Sequence, residues 1–513
     1  MIPLLAASSA DYLVPVVTVL AALGAVVSAF RPKPAAKRLS ASPVLEAPNG
    51  MGSEPRQTQW LEKSLLFILA GYILFDRPFA WLHVPGTPLF VGEMVLALGV
   101  GVVLTTRTRL AQLLRRSASL KAVRNFMVWG AILLILQVLP YGLDAIRDSA
   151  LWYYGFFAML TAILFWSRPQ RVNEWIGRYS RLIPIYLGWF PFAVVLASVG
   201  PTNILVPDSQ ISIFNHKNGN MAVLSAIAIA FMWLADSDNR YFSRRQRVWL
   251  TTLATLLIVL TGLQNRGGMV ASFALIAALL LVLSRRRGEL LMLMIAALVL
   301  TASIAVVFDI RIELFGDREI SIEQFTSNVS SVFDPEAGGA RQSSTTAWRL
   351  NIWEQVLNDV TNDRPFAGFG PGPDLGERYD ISTNPDQPLR NPHNSHVGIL
   401  ARLGWVGVTL WLLLWATWFT EMYQLRHRLR YRGDDHTSNL VGWIFLAPIP
   451  ILVNAIFDPT LEGAQVAVLL WTLVGSGAAI ALLERTNRLP ESRVVMSYSE
   501  KRSKLRAQVP IQD

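Results

Sequence analysis

A long polar loop runs into an apolar segment between Arg390 and Gly407, and the junction holds two histidines, His393 and His396, with one arginine, Arg402, a little further in. An imidazole placed there suits proton transfer near neutral pH. The plainer reading of His393 is a side chain that hydrogen-bonds a loop carbonyl. His393 and His396 are three residues apart and would share one face of a helix, but no third ligand has metal-site spacing, so no metal is expected. Arg402 inside an apolar segment is costly unless it is paired or faces a polar cavity. One reading pairs it with Glu93, at similar depth in another apolar run. The other gives it phosphate oxygens to grip bidentately. Arg266 lies in the tight turn Gln264-Asn265-Arg266-Gly267-Gly268 and can approach the same anion from a second direction. Lys217, in His216-Lys217-Asn218, is either a snorkelling interface residue or a third cation.

These residues need elements to hold them, and the composition says what kind. Of 513 residues, 52% are hydrophobic and 16% charged, where a soluble chain of this length would be nearer a quarter charged. Apolar runs long enough to cross a bilayer as helices recur along the chain. They predict about 13 spans, at roughly 12–30, 61–76, 87–106, 125–142, 149–167, 182–200, 218–236, 248–264, 267–284, 289–308, 397–421, 438–456 and 464–484. The fold class is therefore an all-α polytopic membrane protein. With no cysteine, the chain has neither a disulfide framework nor a thiolate site. No Walker or Rossmann fingerprint occurs, so no nucleotide or other cofactor is expected.

The connections alternate in charge. Segments 31–63, 106–124, 167–181, 237–248, 285–287, 422–437 and the tail from 485 hold 34 of the 46 Lys and Arg residues. They are every second connection, so they mark the cytoplasmic side, with the N-terminus outside and the C-terminus inside. The net charge of +10 is then a topology signal and an attraction to anionic lipid, not a nucleic-acid footprint. Twelve basic residues remain near the outer face, among them Arg147, Lys217, Arg266, Arg349, Arg390 and Arg402.

The sequence divides into a first span and linker (1–60), a membrane bundle (61–308), a large outer loop (309–396), C-terminal spans (397–484) and a cytoplasmic tail (485–513). In the loop, Trp348, Ile352, Trp353, Val356, Leu357 and Val360 fall on one helical face and predict an amphipathic helix over 344–361. The glycines and prolines of 364–375 predict a defined irregular turn. An outward cavity with cations and histidines suits an enzyme acting on a membrane-bound anionic substrate. It also suits a non-catalytic transporter or flippase of lipid-linked oligosaccharide, although spans nearly free of charge away from the outer side disfavour a translocation path.

Pro392-His393-Asn394-Ser395, followed by Leu400 and Leu403-Gly404-Trp405-Val406-Gly407, resembles the signature of the bacterial O-antigen ligase and polymerase superfamily. So do Asn265-Arg266-Gly267-Gly268, Arg349 with Trp353, the Gly368-Phe369-Gly370-Pro371-Gly372 turn and His216-Lys217-Asn218, the last being similar to the exopolysaccharide polymerase branch. The resemblance covers roughly residues 60–480. It implies a GT-C-like, metal-independent, inverting glycosyltransferase of the bacterial inner membrane. Its donor would be a glycan on undecaprenyl diphosphate, its acceptor a glycan or lipid A core hydroxyl, with polysaccharide export or flippase proteins as partners. By resemblance His393 is the essential histidine, supported by Asn394, His396, Arg349 and His216. Arg266 binds the diphosphate, with Lys217, Arg402 or Arg147 in place of a second arginine that such proteins often carry before the span opening at Lys217. Polymerase and ligase are not separated at this level.

Overall fold

The computed structural model describes residues 56–307, apart from short breaks near 85–88, 106 and 200–210, then residues 340–381 and 390–490. The predicted span at 12–30, the linker after it and most of the tail lie outside the described residues. Among the described residues the protein is helical, with two isolated bridges and no strand. The principal helices are α1 (Arg56–Ala80), α2 (Val91–Thr105), α3 (Ala118–Tyr141), α4 (Phe156–Ser167), α5 (Arg171–Val199), α6 (Asn218–Ala230, continued by a π turn to Ala235), α7 (Arg244–Gln264), α8 (Arg266–Val282), α9 (Arg285–Val307), α10 (Ala340–Asp363), α11 (Ser395–Tyr431), α12 (Asp435–Leu446), α13 (Pro448–Asn454) and α14 (Ala464–Arg485).

A helix stands at nearly every predicted span, but five helical stretches are long and apolar enough to cross a membrane, or up to seven if each bent pair is one span. The count of 13 is therefore not reached among the described residues. The reason is local. α1 begins with Arg56, Glu62 and Lys63 and kinks at Asp76-Arg77-Pro78, α5 contains Pro184 and Pro191, and α8 has only 17 residues.

α14 runs through the middle of the bundle with every residue from Ala464 to Glu484 buried. Small residues make this possible, because without side chains in the way two helix backbones can touch. A Cβ at Gly475 would lie 2.2 Å from the carbonyl oxygen of Ala158 in α4.

The two ends of the bundle differ. At one end the basic connections come together on buried carboxylates. Arg171 and Arg178 meet Glu62 at 2.8 and 3.1 Å, Arg428 and Arg432 meet Glu484 at 3.1 and 2.8 Å, and Arg485 meets Glu421 at 3.0 Å. The other end holds Asp76, Lys217, His393 and Asp458. Alternation of charge along the chain thus corresponds to two ends in space.

α11 is broken at Gly404, whose φ is +64°. The turn before it fills the break. Trp405 N donates to Pro365 O at 2.8 Å, and Phe369 N donates to Ala401 O at 2.7 Å. The amide and carbonyl that would have bonded each other within the helix are both satisfied by the loop, as an apolar setting demands. Gly404→Ala is expected to destabilise the protein. The backbone conformation alone costs about 1–2 kcal/mol for an L side chain, and the new Cβ would lie 2.3 Å from Phe366 O. A fall in the thermal unfolding midpoint in detergent measures it; an unchanged midpoint would refute this reading of the break.

α10 contains the predicted amphipathic segment. Ile352, Val356 and Val360 are buried with Phe369, Leu375 and Leu400, so this helix is clamped over the start of α11 through its apolar face.

Candidate functional site

His393 stands two residues before α11 in the left-handed region, φ +52°, which histidine tolerates better than most residues but still at a cost. The surroundings hold it there. Asn391 Oδ1 accepts from His393 N at 3.2 Å, and Asn394 caps α11 by accepting from His396 N and Val397 N at 2.9 and 3.2 Å. Ser395 N donates to Ala455 O at 2.8 Å, and Ser395 Oγ accepts from Leu461 N at 3.1 Å. The histidine loop is thus stitched to the 455–461 connection between α13 and α14.

Cations gather on that connection. Arg349, on α10, donates through Nη1 to Phe457 O at 3.3 Å, while its Nε is shut away from solvent without a partner among the described residues. Lys217 Nζ lies 3.1 Å from Asp458. The Lys217 amide and Asn220 Nδ2 bind the two oxygens of Asp76 at 2.6 and 2.8 Å, fixing the start of α6 to the kink in α1. Arg266 opens α8, which Asn265 caps by accepting from Gly268 N at 2.8 Å. The two glycines after Arg266 are required by space. A Cβ at Gly267 would meet Phe457 at 2.5 Å, and one at Gly268 would meet the Gly219 backbone at 2.6 Å. The turn therefore sits between the start of α6 and the 455–461 connection, with Arg266 close enough to Arg349 for the two charges to repel.

The electrostatics follow from this placement. Burial, then the positive charges of Arg349 and Lys217, hold the His393 imidazole below its ordinary value, with Asp458 opposing. His393 is then a neutral base at neutral pH. Burial pushes Glu462 up to about 7, aided by Asp148 and opposed by Arg402, Asn391 and Lys217. Its Oε2 accepts from Asn391 Nδ2 at 3.1 Å, so Glu462 and His393 are joined through Asn391. For a carboxyl raised in the folded state, stability is greatest when the group is protonated and falls as pH rises from about 4.5 through about 7. Glu462→Gln is expected to flatten the stability–pH curve across that window, measured by thermal unfolding; a slope unchanged from wild type would contradict it.

The remaining expected site residues are placed differently. Arg402 binds Asp148 at 2.9 Å and the carbonyls of Pro373, Arg390 and Gly370 at 2.5, 3.2 and 3.4 Å. Its guanidinium is engaged in holding the glycine-proline turn, not poised for phosphate. Glu93 is not its partner; Glu93 Oε1 accepts from Tyr153 and Tyr154 at 2.9 and 2.7 Å. Arg147 is exposed and lines a separate cavity of about 520 Å³ with Glu93 and Glu462. His396 Nε2 faces Leu452 O at 3.0 Å, and Trp411 Nε1 donates to its Nδ1 at 3.3 Å, a structural setting. His216 faces the carbonyls of Phe214 and Leu74 at 2.8 and 3.3 Å.

Sequence reasoning passed over Asp458, Asp76, Asn391 and Glu462. The alternation of spans puts the connection 457–463 on the His393 side, and its Asp and Glu were the signal for two of them.

The comparisons bear on this arrangement. None of the curated proteins matches the chain. The family model described as O-antigen ligase matches residues 250–412, a stretch that contains Arg266, Arg349, His393 and Arg402 but not Lys217, Asp458 or Glu462. That match covers about a third of a helical chain with five to seven candidate membrane spans, and it supports the resemblance to the O-antigen ligase and polymerase superfamily.

Proposed function

We propose that the protein moves a glycan from undecaprenyl diphosphate to a sugar hydroxyl at the periplasmic face of the inner membrane. The feature that carries this reading is the buried His393 imidazole, held below its ordinary pKa by burial and by the charges of Arg349 and Lys217, with Arg266 adjoining Arg349. The diphosphate leaving group is already weakly basic. It needs positive charge more than a proton, and guanidinium groups in a partly desolvated site supply that without a metal. The acceptor hydroxyl is a poor nucleophile and gains from a positioned base.

In the step we envisage, the acceptor oxygen attacks the anomeric carbon and its proton passes to His393. The bond from that carbon to the diphosphate oxygen breaks, and the electron pair leaves with the diphosphate, held by Arg266, Arg349 and Lys217. A single displacement of this kind inverts the anomeric configuration. Asp458 neutralises Lys217 before the donor arrives and is displaced as the phosphate takes its place.

Purified protein incubated with a defined undecaprenyl-diphosphate glycan tests the reading. The two acceptors to compare are a second lipid-linked glycan and a lipid A core. Chain growth on the first makes it a polymerase; transfer to the second makes it a ligase. No transfer to either, with movement of the donor across the bilayer instead, would overturn the proposal in favour of a transporter.

A further inference from the structure

We propose that the cavity of about 520 Å³ lined in part by Glu462 seats an uncharged sugar carried on an apolar chain. On the function proposed above, this is the acceptor; the binding claim itself stands apart from the reaction.

The argument begins with polarity. The buried carboxyl of Glu93 and that of Glu462 line the cavity, while Asp144, paired with Arg390 at 3.4 Å, and Arg147 are both exposed at its rim. No buried cation lines the cavity to receive an anion, whereas Arg266, Arg349 and Lys217 cluster at the other region. The substrate groups these two regions accept are therefore different.

Hydrogen-bond polarity sharpens the choice. Tyr153 and Tyr154 both donate to the same oxygen of Glu93. Their own oxygens keep lone pairs, and Glu93 Oε2 is shut away without a partner among the described residues. The spare capacity is mostly that of acceptors, and their natural complement is a group with several hydroxyl donors. Leaving such a carboxylate oxygen unsatisfied is costly, so a ligand hydroxyl that draws it out is stabilised. Trp152 Nε1 is also shut away and without a partner among the described residues. Trp81 and Phe90 add aromatic walls suited to the C–H faces of a sugar ring.

The rest of the lining explains the chain. Leu96, Val100, Met127 and Ala131 make one side of the cavity apolar, with Val100 two turns along α2 from Glu93. That is a place for hydrocarbon, not for a free saccharide. Glu462 accepts from Asn391 Nδ2, and Asn391 Oδ1 accepts from the His393 backbone amide, so the cavity lining is tied to the loop that carries the candidate base.

Equilibrium binding of tritiated octyl glucoside, below its micelle concentration, to the full-length protein in lipid nanodiscs tests the proposal, with protein-free nanodiscs as the blank. One saturable site is expected. Unlabelled octyl glucoside should displace the probe; octyl phosphate, octylammonium and free glucose at the same concentration should not. Glu93→Leu removes the acceptor cluster and Val100→Phe fills the apolar side. Each is expected to weaken binding about tenfold or more, and the second covers the case in which the first does not fold. His393→Ala should bind the probe as wild type does, so a failure of transfer and a failure of this seat are read separately. The proposal is overturned by absence of a saturable site, by equal displacement with octyl phosphate, octylammonium or glucose, or by wild-type binding in both cavity variants.

Discussion

His393→Ala is expected to cut glycan transfer by about 10²–10⁴, the range supplied by a positioned base, with the protein still inserted and folded. The side chain is the part removed; the backbone at φ +52° is held by Asn391 and by the α11 cap, and alanine there keeps those bonds at the cost of a less tolerant conformation. The pH dependence separates a base from a merely structural imidazole. Burial and the adjacent cations keep His393 deprotonated to lower pH than usual. Transfer should therefore rise with pH on the acid side and level off below the ordinary histidine value of about 6.5. Single-turnover rates with defined donor would show this. Wild-type rates in His393→Ala, or an acid limb unmoved by Arg349→Gln, would remove His393 from the role of base.

The second large effect concerns charge. Arg349→Ala and Arg266→Ala are each expected to lower transfer by about 10²–10³, the loss typical when one donor to a developing anion is deleted. Arg349 is the sharper test because, among the described residues, its Nε has no partner and its side chain makes one hydrogen bond, to Phe457 O. Donor affinity should fall with it, read as weaker binding of undecaprenyl diphosphate. Arg402→Ala should behave differently. That guanidinium holds Asp148 and three carbonyls, so its loss should lower the unfolding midpoint by several degrees before it touches donor affinity. If Arg349→Ala leaves donor binding intact while Arg402→Ala abolishes it in a folded protein, the two assignments should be exchanged.

Much of this was legible in the chain, for identifiable reasons. Helix positions followed from apolar runs, since a lipid-facing or core helix needs no distant partner to declare itself. The segment 344–361 showed its face through Ile352, Val356 and Val360, and those residues are buried. The glycine-proline turn announced itself in composition, and Gly368, Gly370 and Gly372 all adopt positive φ. Of the 13 spans expected, the first lies outside the described residues, and five to seven of the described helical stretches are long and apolar enough to cross a membrane. The buried pair that was one reading of Arg402 is present, but with another partner than Glu93. An arginine in an apolar run signals only that some partner exists, and its partner, Asp148, lies in a short helix far away in sequence. Glu462 and Asp458 escaped because a lone carboxylate in a short loop resembles any solvated residue until the fold sets it against His393 and Lys217.

The sheathing of α14 on all sides has a bearing on biogenesis. Among the described helices α14 comes latest in the chain and is the most enclosed, so the helices before it must either wait for it or rearrange to admit it. A chain stopped before Ala464 would leave the surfaces that pack on α14 uncovered and should be more protease-sensitive than the full chain.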